Sequence, residues 1–277
     1  ICTDKTGTLT QNQMTVTQVF AAHELIHVTG KGYDPIGEFR LDGSTIKATD
    51  HDPVAMLLLS AALCNDAQLH RTEDNVWRMI GDPTEGALVV LAAKAGYNLD
   101  TLTAAYPRVG EVPFDSDRKR MTTVHRVDLS APGAQGLARV PQTPTPYVAF
   151  VKGAPDIILD LCTSILDRDG VRPITADDRR RILDANEAMG NQALRVLGMA
   201  YRPLDQRSDG DAGIEQDLVF IGLAGMIDAA RPEVRDAVRL CRQAGMKAVM
   251  ITGDYKSTAT AIAKDLDFFT PGRETMT

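Results

Sequence analysis

Residues 4–10, which read DKTGTLT, combine residue types that suit phosphoryl chemistry. They follow Ile1 and Cys2, so Asp4 is expected at the tip of a strand. A carboxylate in that place can accept a phosphoryl group and hold it as an aspartyl-phosphate, which divides one difficult displacement into two easier ones. Gly7 allows a tight turn, in which backbone N–H groups and the hydroxyls of Thr6 and Thr8 can face a phosphate.

A second short motif, Thr252-Gly253-Asp254, follows an apolar strand and precedes a helix. A hydroxyl and free N–H groups at such a junction can bind a phosphoryl oxygen. Residues 4 and 252 are expected to meet at the carboxyl ends of neighbouring strands, where α/β sheets place their ligands.

Charge and composition exclude several other classes. The net charge of -7 argues against a nucleic-acid partner, because a phosphate backbone needs a basic face. The four cysteines have no CxxC spacing and the five histidines no metal spacing, so neither a zinc site nor a disulfide framework is predicted. The longest apolar stretch, residues 54–64, is shorter than the ~20 residues that a bilayer requires and is predicted as a buried helix.

Periodicity and turn residues divide the chain into elements. Strands are predicted over 14–20, 24–28, 38–41, 109–114, 121–127, 147–151, 193–201, 218–222 and 247–251. Helices are predicted over 52–67 with Asp52 as cap, from Pro83 to a stop at Gly96, and over 155–162, 175–190, 231–244 and 256–266, with a surface loop over 130–146. The helix–strand–turn–helix order at the end of the chain is typical of a parallel α/β sheet.

The first string, DKTGTLT, resembles the phosphorylation signature of the P-type cation-transporting ATPases, and TGD resembles the second motif of their superfamily, the haloacid dehalogenase-like phosphotransferases. The resemblance implies a catalytic set of Asp4, Lys5, Thr6, Thr252, Gly253 and Asp254. It also implies that Asp4 and Thr6 bind Mg²⁺ and that Thr252 holds the phosphoryl group.

Residues 114–121, FDSDRKRM, resemble the adenine-side segment of the nucleotide-binding domains of these pumps. The resemblance implies that Phe114 stacks on adenine and Lys119 lines the pocket, roles that suit a flat aromatic face and a cation. Ser116 stands where relatives often carry arginine, which leaves a phosphate contact either missing or supplied by Arg118. The alternative for Phe114 is an ordinary core aromatic.

Further motifs complete the predicted nucleotide site. Residues 152–156, KGAPD, resemble the KGAPE motif, so that Lys152 supplies charge and Gly153 allows close approach. The other cofactor-binding residues implied are Glu85, Arg195, Asp228 and Arg231. Glu85 is alternatively a capping-box acid of its helix, and Arg195 is alternatively an ordinary strand residue.

The fold implied is an α+β nucleotide-binding domain, with an antiparallel sheet flanked by helices, inserted into an incomplete α/β haloacid dehalogenase-like (Rossmann-like) domain. Its predicted bounds are 18–224 for the nucleotide-binding domain and 1–17 with 225–277 for the phosphorylation domain. The chain opens on its motif without an initiator methionine, so we expect a cytosolic piece of a larger membrane protein.

The function implied is that of an ATP- and Mg²⁺-dependent pump of the type II, calcium-pump-like group, in a bacterial plasma membrane, with calcium as the transported cation. The superfamily's further lysine and GDGxND segment do not follow Asp254, so we expect nucleotide binding with little turnover. Two alternatives remain. One is a soluble phosphatase of the same superfamily, which normally carries an acid where this chain has Thr6. The other is a non-catalytic nucleotide-binding module.

Overall fold

The computed structural model describes residues 1–134, 145–208, 212–252 and 256–268. In chain order the strands are β1 (Cys2–Asp4), β2 (Thr10–Ala21), β3 (Glu24–Val28), β4 (Phe39–Leu41), β5 (Ser44–Ile46), β6 (Gln68–Arg71), β7 (Trp77–Ile80), β8 (Arg108–Asp115), β9 (Arg120–Arg126), β10 (Tyr147–Gly153), β11 (Cys162–Asp167), β12 (Gly170–Pro173), β13 (Arg195–Leu204), β14 (Leu218–Ala230) and β15 (Val249–Ile251). The α-helices are α1 (Asp52–Leu63), α2 (Pro83–Lys94), α3 (Leu99–Ala105), α4 (Pro155–Asp160), α5 (Ala176–Asn191), α6 (Pro232–Gln243) and α7 (Lys256–Asp265).

The main sheet has the strand order β5-β4-β3-β2-β14-β13-β10-β9-β8, and each pair along this path is antiparallel. β11 joins the sheet in parallel with β14 and pairs antiparallel with β12. The prediction of a mostly antiparallel sheet flanked by helices is therefore confirmed. A separate parallel pair, β1 with β15, lies outside this sheet.

Alternation along the central strands builds a hydrophobic core on each face of the main sheet. Val19 packs in the core that contains Leu57 of α1 and Leu88 of α2. The next residue, Phe20, packs in the core that contains Ile158 of α4 and Ile182 of α5. Because successive side chains of a strand point to opposite faces, one strand serves both cores. Each fully buried large side chain contributes roughly 1.5–3 kcal/mol.

Helix α1 is buried, as predicted from its continuous apolar sequence. The predicted end at residue 67 was wrong, because the helix stops at Leu63. The Asn65 side chain donates from Nδ2 to the Ala61 carbonyl at 3.0 Å and accepts from the Ala67 N–H at 2.8 Å. These bonds satisfy a carbonyl in the last turn of the helix and an N–H beyond its end, and so favour its termination. The predicted cap was also wrong, since Asp52 lies within the first turn.

Several short elements escaped sequence-based prediction. They are the β6–β7 hairpin, helix α3, the β11–β12 pair and a π-helical turn over Lys5–Leu9. The hairpin strands are exposed or half-buried along their length, so they carry little of the apolar alternation by which strands are recognised. The predicted 155–162 helix was too long, because Cys162 begins β11. Of the predicted 130–146 loop, residues 135–144 lie outside the described residues.

Strands β2 and β14 are both longer than predicted. They pair from Gly222 opposite Ala21 to Ala230 opposite Thr10. The predicted domain boundaries, 17/18 and 224/225, fall inside these two strands. No helix in the described part of the chain is long and apolar enough to cross a membrane.

His125 makes the stability of this fold sensitive to acid. Burial lowers the pKa of His125 to about 4, and the ring lies 2.7 Å from the Tyr106 carbonyl through Nδ1. The unfolded chain takes up this proton near pH 6.5. Native stability therefore falls as the pH drops from 6.5 towards 4, and the loss between pH 7 and 5 should be about 2 kcal/mol.

Urea denaturation of the chain at pH 7 and 5 measures this effect. We expect a smaller pH dependence in His125→Gln than in His70→Gln, which removes an exposed histidine of β6. Equal pH dependence in the two variants would contradict the assignment to His125.

Candidate functional site

Asp4 and Thr252 lie at the carboxyl ends of two adjacent parallel strands. Strand β1 pairs with β15, and Asp4 lies opposite Ile251, the residue before Thr252. The side chain of Asp4 is exposed. The structure therefore brings these two predicted residues to one edge of the pair. Gly253 and Asp254 lie outside the described residues, and for Thr6 only the backbone is described.

The segment after Asp4 forms the π-helical turn Lys5–Leu9, which we call the Asp4 turn. Gly7 has a φ of +74°, in the left-handed region that side chains disfavour. This confirms the expectation that glycine permits the tight turn. Lys5, one of the predicted catalytic residues, is buried within it.

Asp228 and Arg231 support the Asp4 turn from the end of β14. Asp228 accepts from the Thr10 hydroxyl at 2.6 Å through Oδ2 and from the Gln13 N–H at 3.1 Å through Oδ1. Arg231 donates from Nη2 to the Gly7 carbonyl at 3.0 Å. Thr10 is fully buried and also accepts from the Gly7 N–H at 3.3 Å. Both residues, predicted as cofactor-binding, thus contact the segment that follows the nucleophile candidate.

A second polar cluster lies on the main sheet and centres on an ion pair between Lys152 and Glu85. Lys152 Nζ donates to Glu85 Oε1 at 2.6 Å, and the side chains are only 8% and 17% exposed. Glu85 Oε2 also accepts from the Asp66 N–H at 3.2 Å. The capping-box alternative for Glu85 was wrong. Asp82 alone caps α2, accepting from the Thr84 and Glu85 N–H groups.

Arg195 joins this cluster from β13. Its Nη1 donates to the Thr84 hydroxyl at 2.8 Å, so an exposed cation lies beside the first turn of α2. The N–H groups of that turn are already bound by Asp82, so Arg195 is the group there that favours an anion.

Residues 115–119 connect β8 to β9, and we call them the 115–119 turn. Phe114 directly precedes this turn, and Lys119 is its last residue. Phe114 is 65% exposed, so the core-aromatic alternative was wrong. Lys119 is exposed and has a φ of +53°. Asp115 closes the turn by accepting from the Asp117 and Arg118 N–H groups at 2.9 and 2.8 Å. These backbone hydrogen bonds hold the pKa of Asp115 below its usual value.

Gly153 is required by the close approach of this turn. A Cβ added to Gly153 would lie 2.4 Å from the Lys119 carbonyl oxygen and 2.9 Å from Arg120 Cα. The same Lys119 carbonyl accepts from the Ala154 N–H at 3.0 Å. The glycine of the KGAPD segment therefore seats the 115–119 turn against β10.

Arg118, the alternative source of the phosphate contact that Ser116 leaves missing, is held by other groups of the protein. Its guanidinium donates to Glu215 Oε2 at 2.6 Å and to the Pro113 carbonyl at 2.8 Å. Glu215 was missed by the sequence reasoning. It follows the short helical turn Ala212–Ile214 and lies 97 residues from Arg118 along the chain. No periodic sequence pattern identifies it as a partner of Arg118.

Asn65 and Asp66, which follow helix α1, make structural contacts with neighbouring elements. Asn65 donates to the Glu85 carbonyl at 2.9 Å, and Asp66 accepts from Arg108 at 2.6 Å. Within the described ranges, no group of three or more His, Cys, Asp or Glu residues comes together to hold a metal ion.

Residues 53–233 match the family model described as P-type ATPase, cytoplasmic domain N. The chain belongs to the P-type ATPase family, as its two motif sets indicate. The calcium-transporting ATPase of Bacillus subtilis (strain 168) is 40% identical over 268 residues, which are 96% of this chain and 28% of that protein.

Other relatives show the same partial coverage. The cation-transporting ATPase pma1 of Synechocystis sp. is 41% identical over 98% of this chain and 29% of its own length. The calcium-transporting ATPase type 2C member 1 of Bos taurus is 36% identical over 97% and 25%. The chain therefore spans between a quarter and three tenths of the length of these relatives.

The packing around Gly153 predicts an unequal effect of two glycine substitutions. Gly153→Ala should lower the free energy of unfolding by roughly 1–3 kcal/mol, because its methyl group overlaps backbone atoms that cannot rotate away. Gly190→Ala in α5 adds a methyl group to open space and should stabilise the chain by about 0.5–1 kcal/mol. Urea denaturation of both variants measures the difference, and an equal effect would contradict the packing argument.

Proposed function

We propose that this chain is the ATP-binding, cytosolic part of a cation pump that is phosphorylated on Asp4. The observation that carries the proposal is that one antiparallel pair, β2 with β14, links two polar sites of complementary chemistry. At one end lies the Asp4 turn, with a carboxylate exposed for attack. Within the same sheet lies a cluster of cations beside an exposed aromatic ring.

In the proposed reaction a carboxylate oxygen of Asp4 attacks the γ-phosphorus of ATP. The bond between the γ-phosphorus and the bridging oxygen breaks, ADP leaves, and the phosphoryl group is held on Asp4. Water then hydrolyses this acyl phosphate to release inorganic phosphate and restore the carboxylate. We assign Lys5, Thr6, Thr252, Gly253 and Asp254 to the surroundings of the transferred group, and Asp228 and Arg231 to the support of the turn.

The nucleotide is assigned to the second cluster. The exposed ring of Phe114 offers a stacking face for adenine, and Lys119 supplies a nearby cation. The exposed guanidinium of Arg195 favours the phosphates. The ion pair with Glu85 fixes Lys152 at the end of β10, and the remaining acceptor capacity of Glu85 suits the adenine amino group.

Mg²⁺ fits the chemistry of the first site. Mg²⁺ commonly binds one or two carboxylates together with phosphate oxygens and water, and Asp4 offers an exposed carboxylate at the edge where the phosphoryl group would arrive. We assign Asp4 and Thr6 to hold it. When bound, the ion neutralises the charge that develops on the transferred group.

The remaining parts of the proposal concern the longer protein. We assign residues 18–224 to an inserted nucleotide-binding domain and residues 1–17 and 225–277 to a haloacid dehalogenase-like phosphorylation domain, which the parallel β1–β15 pair and helices α6 and α7 support. Two of the relatives named above are calcium-transporting, and two are bacterial. We therefore propose calcium as the cation and a bacterial plasma membrane as the location.

Calorimetric titration with a non-hydrolysable ATP analogue tests the nucleotide site. We expect one site on the chain, with about tenfold weaker affinity in Phe114→Ala because base–aromatic stacking contributes about 1–3 kcal/mol. Lys152→Ala should weaken binding at least as much. Ile36→Ala and Lys94→Ala, which remove an exposed apolar and a half-buried cationic side chain elsewhere, serve as controls. Absence of binding to the folded chain, or equal losses in the controls, would contradict this assignment.

Asp4→Asn tests the phosphorylation step in the longer protein. The substitution keeps the size of the side chain and removes the nucleophile. We expect acid-stable labelling from ATP carrying ³²P at the γ position to disappear, while affinity for the ATP analogue stays within twofold. Asp42→Asn, in the β4–β5 turn where the left-handed φ suits asparagine, is the matched control. Labelling that survives in Asp4→Asn would exclude Asp4 as the acceptor.

A further inference from the structure

We propose that Glu215 is a positioning residue that holds the 115–119 turn, and with it Phe114 and Lys119, in the arrangement that receives the nucleotide. This inference rests on the proposed nucleotide site. Glu215 itself touches neither predicted side chain and acts through Arg118 and the strand ends on either side of the turn.

Glu215 is a buried carboxylate whose two oxygens are both engaged. Its side chain is 1% exposed. Oε2 accepts from Arg118 Nη1 at 2.6 Å and from Arg120 Nε at 2.7 Å, and Oε1 accepts from the Thr122 hydroxyl at 2.6 Å. Burial raises the pKa of Glu215, but the hydrogen bonds from Thr122, Arg118 and Arg120 outweigh it and leave the pKa below its usual value. The group is therefore a charged anchor.

The anchor reaches the turn from outside the β8–β9 hairpin. Arg118 lies within the turn, while Arg120 and Thr122 begin the strand that leaves it. The Arg118 guanidinium also donates from Nη2 to the carbonyl of Pro113, the residue before Phe114. One planar group thus connects Glu215 to the backbone that carries the aromatic ring. Both contacts require several donors in a fixed planar geometry, which among the side chains only arginine provides.

The hydrogen bonds within the turn do not make this anchor redundant. Asp115 closes the turn locally through the N–H groups of residues 117 and 118, which sets its shape. The direction in which the turn projects depends on contacts with other elements. These are the Lys119 carbonyl to Ala154 on one side and Arg118 to Glu215 on the other. Loss of the second contact would leave Phe114 and Lys119 on a turn held at one side only.

Titration of Glu215→Gln with the non-hydrolysable ATP analogue tests the proposal. Glutamine keeps the size but removes the charge that faces two arginines, so we expect about tenfold weaker binding. The matched control is Asp178→Asn, since Asp178 is a buried carboxylate that also binds an arginine, Arg172, at the start of α5. Both variants should lose thermal stability. Only Glu215→Gln should lose nucleotide affinity, and equal affinity losses in the two would overturn the proposal.

A double-mutant cycle separates positioning from general loosening of the fold. Because Glu215 acts through both Phe114 and Lys119, Glu215→Gln should weaken binding by less than twofold in a Phe114→Ala/Lys119→Ala background. A full tenfold effect in that background would overturn the proposal. If Glu215→Gln does not fold, Arg118→Lys replaces it, because lysine keeps the charge but cannot bridge Glu215 and the Pro113 carbonyl. We then expect a similar loss of affinity, and unchanged affinity would overturn the proposal.

The same titrations distinguish this inference from the proposed function. If the unaltered chain does not bind the analogue, or if Phe114→Ala and Lys152→Ala have no effect, the nucleotide site itself is wrong. If those variants weaken binding and Glu215→Gln behaves like Asp178→Asn, the nucleotide site stands and only the positioning role fails.

Discussion

The antiparallel pairing of β2 with β14 organises both the main sheet and the segment that follows Asp4. These strands lie in the middle of the main sheet and separate its two cores, so their alternation decides which residues meet the helices on each face. They also continue past the cores to Thr10 and Ala230. There the carboxylate of Asp228 binds Thr10 and Gln13, which links the end of β14 to the segment that follows Asp4.

The hydrogen bond between the half-buried Asp228 carboxylate and the buried Thr10 hydroxyl constrains this junction. Leaving a buried polar group unpaired costs roughly 1–3 kcal/mol, and more when the group is charged. Thr10 is fully buried and donates to Asp228 at 2.6 Å. The junction therefore has one favourable arrangement, in which Arg231 also reaches the Gly7 carbonyl. This makes the Asp4 turn an extension of the main sheet.

A largely buried polar contact also organises the second cluster, on the main sheet. Lys152 and Glu85 come from a strand and a helix 67 residues apart and form a largely buried ion pair. Buried pairs of this kind contribute little net stability, but removing one partner leaves a costly unpaired charge. The contribution of this pair is to fix the positions of the Lys152 and Glu85 side chains relative to each other. The exposed Arg195 binds Thr84, the residue before Glu85, and so lies next to this pair.

Much of this was predictable because it is local. The string DKTGTLT, the left-handed glycine at position 7, the Asp82 cap and the apolar run of α1 are properties of short segments, and local sterics and hydrogen bonding decide them. The sequence also predicted that residues 4 and 252 share an edge, since parallel strands place their carboxyl ends together. The family resemblance is confirmed by the match of residues 53–233 to the family model and by relatives that are similar over nearly the whole chain.

The partners of the buried charges depend on contacts between segments that are distant along the chain. Glu85 was open to two interpretations, and its pairing with Lys152 followed only when α2 packed beside β10. Glu215 had no distinguishing pattern, and its role depends on Arg118 and Arg120, which lie 97 and 95 residues away. The residue types specify which positions can carry a charge, form a tight turn or stack on a ring. Packing determined which of them meet, because a contact between distant segments has no periodicity along the chain from which it can be predicted.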